Sequence, residues 1–465
     1  MHAFVNDEAP GPSAGRLGSA AFRERHHLRY AYAAGGMYRG TASAALVARM
    51  SRAGLLSFLG TGGLDLDEID AALGTLRANT ASDAIYGANL LAHPTEPATE
   101  RALIALYLHH GVRRIEAAVF TRISAALVLF RALGLRRDAA GRIHCAHRIL
   151  AKVSRLEVAE AFLHPAPADL LETLLDERAI DAEQAALARE VPMCDDLCVE
   201  ADSGGHTDGG IPSILLPAML RLRDRLAARF AYREPLCVGL AGGIGTPEAV
   251  AGAFAMGADF VMTGSINQCT VESGATDVVK TMLQDAGIHD MAYAPAGDTF
   301  EIGGRVQVLK KSVLFPMRAN KLHALYQHYP SLDALPPELR AQLERSYFRQ
   351  DLGAIWEAAL RHLEKRGNHE EIRLARANPK VRMARVFKWY FHYSTQLAFS
   401  GAPDDQVNYQ VHTGPALGAF NAWVAGSALE SWRCRHVDEI GCALMEGAAR
   451  QLGAGSPRFA GASDG

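Results

Sequence analysis

The sequence contains no run of about 18 uncharged apolar residues, so it offers no membrane-spanning helix. Its N-terminus has no apolar signal core, which argues against a secretory leader. No basic block and no basic stripe interleaved with aromatics occurs, and 48 Lys and Arg against 51 Asp and Glu leave a net charge of −3. That balance argues against a nucleic-acid binder held by bulk charge. Cysteine is sparse: seven residues, at 145, 194, 198, 237, 269, 434 and 442. A scattered, odd set reads as reduced thiols of a cytoplasmic protein, not as a disulfide framework. Cys194 and Cys198 stand close, but no second Cys/His pair at ligand spacing accompanies them, so no metal site is expected. A GxSxG elbow, a Walker loop, an HExxH motif and a GxGxxG dinucleotide fingerprint are also missing.

What is present is a βαβ unit at 236–265, LCVGLAGGIGTPEAVAGAFAMGADFVMTGS. A buried apolar strand ends in Ala241, Gly242, Gly243, Ile244 and Gly245. Thr246 can cap the next helix, and Pro247 suits its first turn. A second short strand ends in Thr263, Gly264 and Ser265. Glycines let backbone approach a ligand closely, and helix-start N–H groups favour an anion. Two consecutive strand ends of this kind match the phosphate site after strands seven and eight of a β/α barrel.

The 465 residues, 49% hydrophobic, suffice for a large core, either as two or three domains or as one barrel with an appendage. Strands are expected at 28–33, 55–58, 84–90, 113–117, 148–153, 197–201, 236–240 and 259–262. Helical stretches fall between them, at 43–53, 66–78, 96–110 and 123–132 among others. Eight strand–helix steps over about 250 residues have the size of a (β/α)8 TIM barrel. A doubly wound open sheet would more often put its Gly-rich loop after the first strand, whereas here the richest follows the seventh. Residues 1–25, rich in Gly, Ala, Ser and Pro, read as a flexible leader, 26–335 as the barrel and 336–465 as an added helical region. In that last region helices are expected at 335–365, 370–377, 381–394 and 423–451.

Chemistry in such a barrel sits where strands end. Strand one ends at Gly35 and Gly36, whose small size suits a flat ring close to the backbone. Strand three carries Asn89, a candidate hydrogen-bond partner for a cofactor. Lys152, in Ala151-Lys152-Val153-Ser154, is expensive inside an apolar strand unless paired. It either sits at a strand end beside a cofactor or lies in a surface loop. Strand six leads into Glu200-Ala201-Asp202-Ser203-Gly204-Gly205-His206-Thr207-Asp208, the densest polar cluster. His206 follows two glycines and either enters a pocket for proton transfer or caps a loop. The polar loop 408–421 either covers a substrate mouth or packs between helices.

Several runs stand out together: Tyr86-Gly87-Ala88-Asn89-Leu90-Leu91, Ala151-Lys152-Val153-Ser154-Arg155, the Glu200 to Asp208 cluster, Ala241 to Pro247, and Thr263-Gly264-Ser265-Ile266-Asn267-Gln268. Ala294-Pro295-Ala296, Phe300-Glu301, Gln307-Val308-Leu309-Lys310 and Tyr409 to Asn421 add to them. In combination they resemble the trans-acting enoyl reductases of polyketide and polyunsaturated fatty acid synthases, the PfaD-like family. The likeness covers about 28–450, and it extends more distantly to flavin enoyl reductases and nitronate monooxygenases. It implies an FMN-bound barrel with the phosphate at Ala241, Gly242, Gly243, Thr263, Gly264 and Ser265. Gly35, Gly36, Asn89, Lys152, Gly204 and Gly205 would lie along the flavin. His206 and Lys152 would be catalytic, Lys152 by stabilising negative charge on the ring. The implied reaction is NADPH-driven reduction of enoyl thioesters on acyl carrier protein, in the cytoplasm, by a homodimer. Nitronate oxidation by oxygen and non-catalytic docking on a synthase are the alternatives. The chain departs from the family at Gly60-Thr61-Gly62-Gly63, at Cys194 and at Val411-His412-Thr413.

Overall fold

The computed structural model describes residues 13–81, 84–365 and 367–453. Eight strands close into a parallel barrel: β1 (Tyr32–Ala34), β2 (Leu56–Leu59), β3 (Gly87–Leu91), β4 (Arg114–Ala118), β5 (Arg148–Val153), β6 (Asp196–Glu200), β7 (Cys237–Ala241) and β8 (Val261–Thr263). Each pairs with its sequence neighbour, and β8 closes the ring on β1 through Tyr32 opposite Val261 and Ala34 opposite Thr263. The expected strands are all present, most within a residue at each end. They read clearly because strands buried on both faces are short apolar runs. The helices between them start on the expected signals. Asp65 and Glu68 form a reciprocal capping box at Leu66–Ala78, and the Thr246 side chain accepts from Ala249 N ahead of Pro247–Ala255.

The described residues form two compact units. Among those residues, one comprises the described parts of 13–202, 209–274 and 422–453, the other those of 203–208 and 275–421. This division does not follow the boundary expected at 335/336. The chain leaves the barrel unit after β8 and returns to it, and helix Val437–Gly453 is the barrel's last helix rather than part of an appended region. Gly441 and Gly447 let that helix in. An added Cβ would lie 2.8 Å from the Tyr32 ring at Gly441 and 2.6 Å from Pro247 at Gly447.

Residues 1–12 of the expected leader lie outside the described residues, but 13–25 are not loose. Helix Ala20–His26, capped by Ser19, buries Phe22 completely. Phe22 stacks on Phe260 with ring centroids 4.1 Å apart. Beside it, at the N-terminal ends of the strands, Asp196 pairs with Arg25 at 2.6 Å and His26 at 2.7 Å. Asp195 pairs with Arg131 at 2.6 Å and Arg148 at 2.7 Å. Burial works against the Asp195 charge, but Arg131, Arg148 and Arg25 outweigh it and hold the carboxyl below the usual range.

The second unit has a three-stranded antiparallel sheet. Its central strand β10 (Arg305–Leu309) is flanked by β9 (Met291–Pro295) and by the two-residue strand Gly205–His206. Helices Phe315–His328, Leu352–Lys365 and Pro379–Ser400 supply its core, with Phe315, Phe387, Tyr390 and Phe391 buried together. The single helix expected at 335–365 is interrupted between Phe348 and Leu352, where Arg349 adopts a left-handed conformation (φ 53°). The one expected at 423–451 breaks into shorter pieces, with Gly426 at φ 73°.

Candidate active site

The C-terminal ends of β7 and β8 form two adjacent glycine loops. Gly242 and Gly243 both have left-handed backbones (φ 88° and 76°), which a side chain would strain. At Gly242 an added Cβ would sit 2.7 Å from the Ala201 carbonyl, so this glycine is needed for packing. At Gly243 and Gly264 an added Cβ would meet nothing within 4 Å. Space therefore opens over both loops, next to the starts of helix Pro247–Ala255 and of the 3-10 turn Ser265–Cys269. Such helix starts direct N–H groups and positive potential at an anion. Thr263 acts here as a brace. Its hydroxyl bonds the Tyr32 hydroxyl at 2.6 Å and accepts from Asn267 Nδ2 at 2.9 Å, while its carbonyl accepts from Gly35 N.

On the far side of the ring, Glu116 is fully buried on β4. Its Oε2 accepts from Gly36 N at 2.7 Å and its Oε1 lies 3.1 Å from Lys152 Nζ. Because β1 and β4 are three places apart in the ring, the bond to Gly36 crosses the barrel interior. Lys152 also meets Glu200 Oε1 at 3.3 Å. Burial opposes the lysine charge, but Glu116 and Glu200 together raise Lys152 above its ordinary range and keep it protonated. Lys152 is thus paired at a strand end and not in a surface loop. It lies between two carboxylates, Glu116 on β4 and Glu200 on β6. Asn89 is buried and Gly36 packs on it, an added Cβ there falling 2.6 Å from the Asn89 Cβ. Thr61, which departs from the family pattern, donates its hydroxyl to the Asn89 carbonyl at 2.5 Å, as Tyr107 does at 2.6 Å.

The structure places Gly204, Gly205 and His206 in the second unit. The Asp202 N to Gly210 O bond closes the base of the excursion that carries them. Gly205 (φ 87°) pairs with Gln307, and His206 pairs with Val306. His206 Nε2 lies 2.8 Å from Asp298 Oδ1, and this contact outweighs burial to hold Asp298 at about 2. The 408–414 segment is packed rather than open. Leu309 N donates to Val411 O, Thr413 N to Gln307 O, and Asn408 and Thr413 are fully buried. It brings His412 to a ring-centroid distance of 6.4 Å from His206. Sequence reasoning missed Glu116, Asp298 and His412 as site residues. A lone charge in the apolar run Ile115-Glu116-Ala117 was the one available signal for the first. Among the described residues no cluster of three or more His, Cys, Asp or Glu could hold a metal ion, and no helix is long and apolar enough to cross a membrane.

A closed parallel barrel with glycine loops at its last two strand ends and a charged triad at the same rim defines a TIM-barrel enzyme. The enoyl reductase domain of MlnA, from the macrolactin biosynthesis cluster of Bacillus amyloliquefaciens, is 44% identical with a TM-score of 0.91, covering 94% of this chain and 98% of that one. The polyketide biosynthesis protein PksE of Bacillus subtilis is 51% identical over 94% of this chain, and a polyunsaturated fatty acid synthase component from a Thraustochytrium species is 39% identical over 90%. The chain spans 56% of the former and 28% of the latter. FabK from Thermotoga maritima, 17% identical with a TM-score of 0.54 over 93% of this chain and 96% of its own, shares the fold. Residues 329–409 match the family model described as acyl-carrier-protein S-malonyltransferase, inserted helical domain. The chain belongs to the PfaD-like enoyl reductases of polyketide and polyunsaturated fatty acid synthases, which are oxidoreductases.

Proposed function

We propose that the protein is an FMN- and NADPH-dependent enoyl reductase. It saturates the α,β double bond of enoyl thioesters carried on acyl carrier protein, in trans to a polyketide or polyunsaturated fatty acid synthase in the cytoplasm. The observation that carries this reading is the open space over Gly243 and Gly264 at two adjacent strand ends. These residues fit a mononucleotide: N–H groups at helix starts for the phosphate, and small residues at Gly35 and Gly36 for a flat ring. A bound FMN would supply hydride-transfer chemistry between NADPH and the β-carbon.

The chain's own residues do the positioning and proton handling. The Gly243 and Gly264–Ser265 backbone anchors the phosphate. Glu116 fixes Gly36 and Lys152 relative to each other, and Glu200 holds Lys152 from the other side. Lys152 therefore acts as an oriented hydrogen-bond donor whose charge is already balanced. His206 holds the proton that the α-carbon requires, with Asp298 orienting its ring. Incubation under argon with NADPH and a 2-enoyl pantetheine thioester should give the saturated thioester and oxidised nicotinamide in equal amounts. Oxygen uptake on a nitroalkane without NADPH, and no saturated product, would replace the reductase reading with an oxidase.

A further inference from the structure

We infer that His412 is a positioning residue for His206, the two imidazoles and Asp298 forming one unit that holds a single proton and places it on His206. This rests on the reading of His206 as the proton-holding group. Strand β10 sets the register of both histidines, with Val306 opposite His206 and Val308 bridged to His412. The rings meet edge to face at 83°.

The hydrogen bonds decide where the proton goes. Thr395 Oγ1 donates to Gln410 Oε1 at 3.1 Å, which turns the amide NH2 toward His412. Gln410 Nε2 then donates to His412 Nε2 at 2.7 Å. His412 Nε2 must therefore be the unprotonated nitrogen, and the ring carries its hydrogen on Nδ1. That nitrogen faces the Gly205–His206 strand, 3.9 Å from where a Gly205 Cβ would stand. A second proton on His412 would break the Gln410 bond. Burial and the neighbouring His206 push the same way, lowering His412 to about 4. His206 has the opposite surroundings, since its Nε2 meets the Asp298 carboxylate. Charged groups near the pair include Lys388, which contacts the Asp298 carbonyl at 3.3 Å and Glu301 at 3.0 Å, Arg305 on β10, whose carbonyl accepts from Thr207 N, and Asp208, two residues beyond His206. A proton entering this cluster has one seat, and His412 keeps it from being shared.

The test is histidine nitrogen NMR on the full chain, with the two rings assigned through His206→Gln and His412→Gln. In the unmodified protein His412 should show the Nδ1–H tautomer and stay neutral through pH 5, while His206 titrates. Finding His412 with its hydrogen on Nε2 overturns the inference, and this measurement needs no variant to fold. Gln410→Glu replaces the amide donor with an acceptor. It should raise the His412 midpoint by roughly 1–3 pH units and lower that of His206 by roughly half a unit, the new carboxylate offsetting part of the repulsion. A His412 midpoint that rises while His206 stays unmoved overturns the coupling. The alkaline limb of turnover should move to lower pH by the same half unit. If the NMR midpoints shift but the turnover profile does not, the pair stands and the catalytic role of His206 fails.

Discussion

Gly264→Leu separates the cofactor site from the fold. The Gly264 backbone (φ −132°) lies outside the left-handed region, and an added Cβ there meets nothing within 4 Å. The folded protein thus has room for the first carbon of a side chain, and the variant should keep the fold. The same leucine would occupy the space assigned to the FMN phosphate. Losing one or two charge-assisted hydrogen bonds, roughly 1.5–3 kcal/mol each, lowers FMN affinity by roughly tenfold or more. Neighbouring glycines give no such clean separation. Gly242 packs against the Ala201 carbonyl, and Gly243, although open, would carry about 1–2 kcal/mol of left-handed strain. The assay is fluorescence titration of FMN into flavin-free protein, paired with thermal unfolding of that flavin-free protein. Undiminished affinity would show that the phosphate has been misplaced. A lowered melting temperature without flavin would show that the space over Gly264 is not open.

Lys152→Met should destabilise the barrel by roughly 3–5 kcal/mol in chemical denaturation, because it strands the buried Glu116 carboxylate. Adding Glu116→Gln should recover much of that loss, and strictly additive losses would contradict the pairing. His206→Ala should leave flavin content intact and reduce kcat by roughly a hundredfold or more, whereas unchanged turnover would remove His206 from the chemistry. His26 gives a pH dependence. Arg114 Nε donates to His26 Nδ1 at 3.2 Å, so the neutral ring donates from Nε2 to Asp196, and burial lowers its folded pKa. A lowered value means the unfolded chain binds the proton more tightly. The stability it contributes is present above the ordinary histidine pKa of about 6.5 and is lost as pH falls from there toward the folded value. His26→Gln should flatten the melting temperature between pH 7 and 5, and an unchanged slope would contradict the assignment.

Much of the barrel was legible because fully buried parallel strands leave short apolar runs between capping signals, as at β5 or at Thr246-Pro247. The route of the chain was not. Helix Val437–Gly453 and the helices of residues 315–400 have similar amphipathic patterns, and nothing local says which of them completes the barrel. Phe22 sits in a Gly- and Ala-rich stretch that resembles a tail, and its stacking on Phe260 depends on residues more than two hundred positions away. In the site, the glycine loops and Lys152 were visible as local exceptions. Their partners were not, because Glu116 reaches Gly36 across the ring and Asp298 and His412 reach His206 through an antiparallel sheet. That sheet went unread, since β9 and β10 lack a clean alternation of buried and exposed positions.

The most direct measurement is an anaerobic stopped-flow spectrum of the protein with FMN. Mixing with NADPH should bleach the flavin absorbance, and adding a 2-enoyl thioester on acyl carrier protein should restore it. Bleaching without recovery would contradict the assigned substrate, and no bleaching by NADPH would contradict the reductase itself.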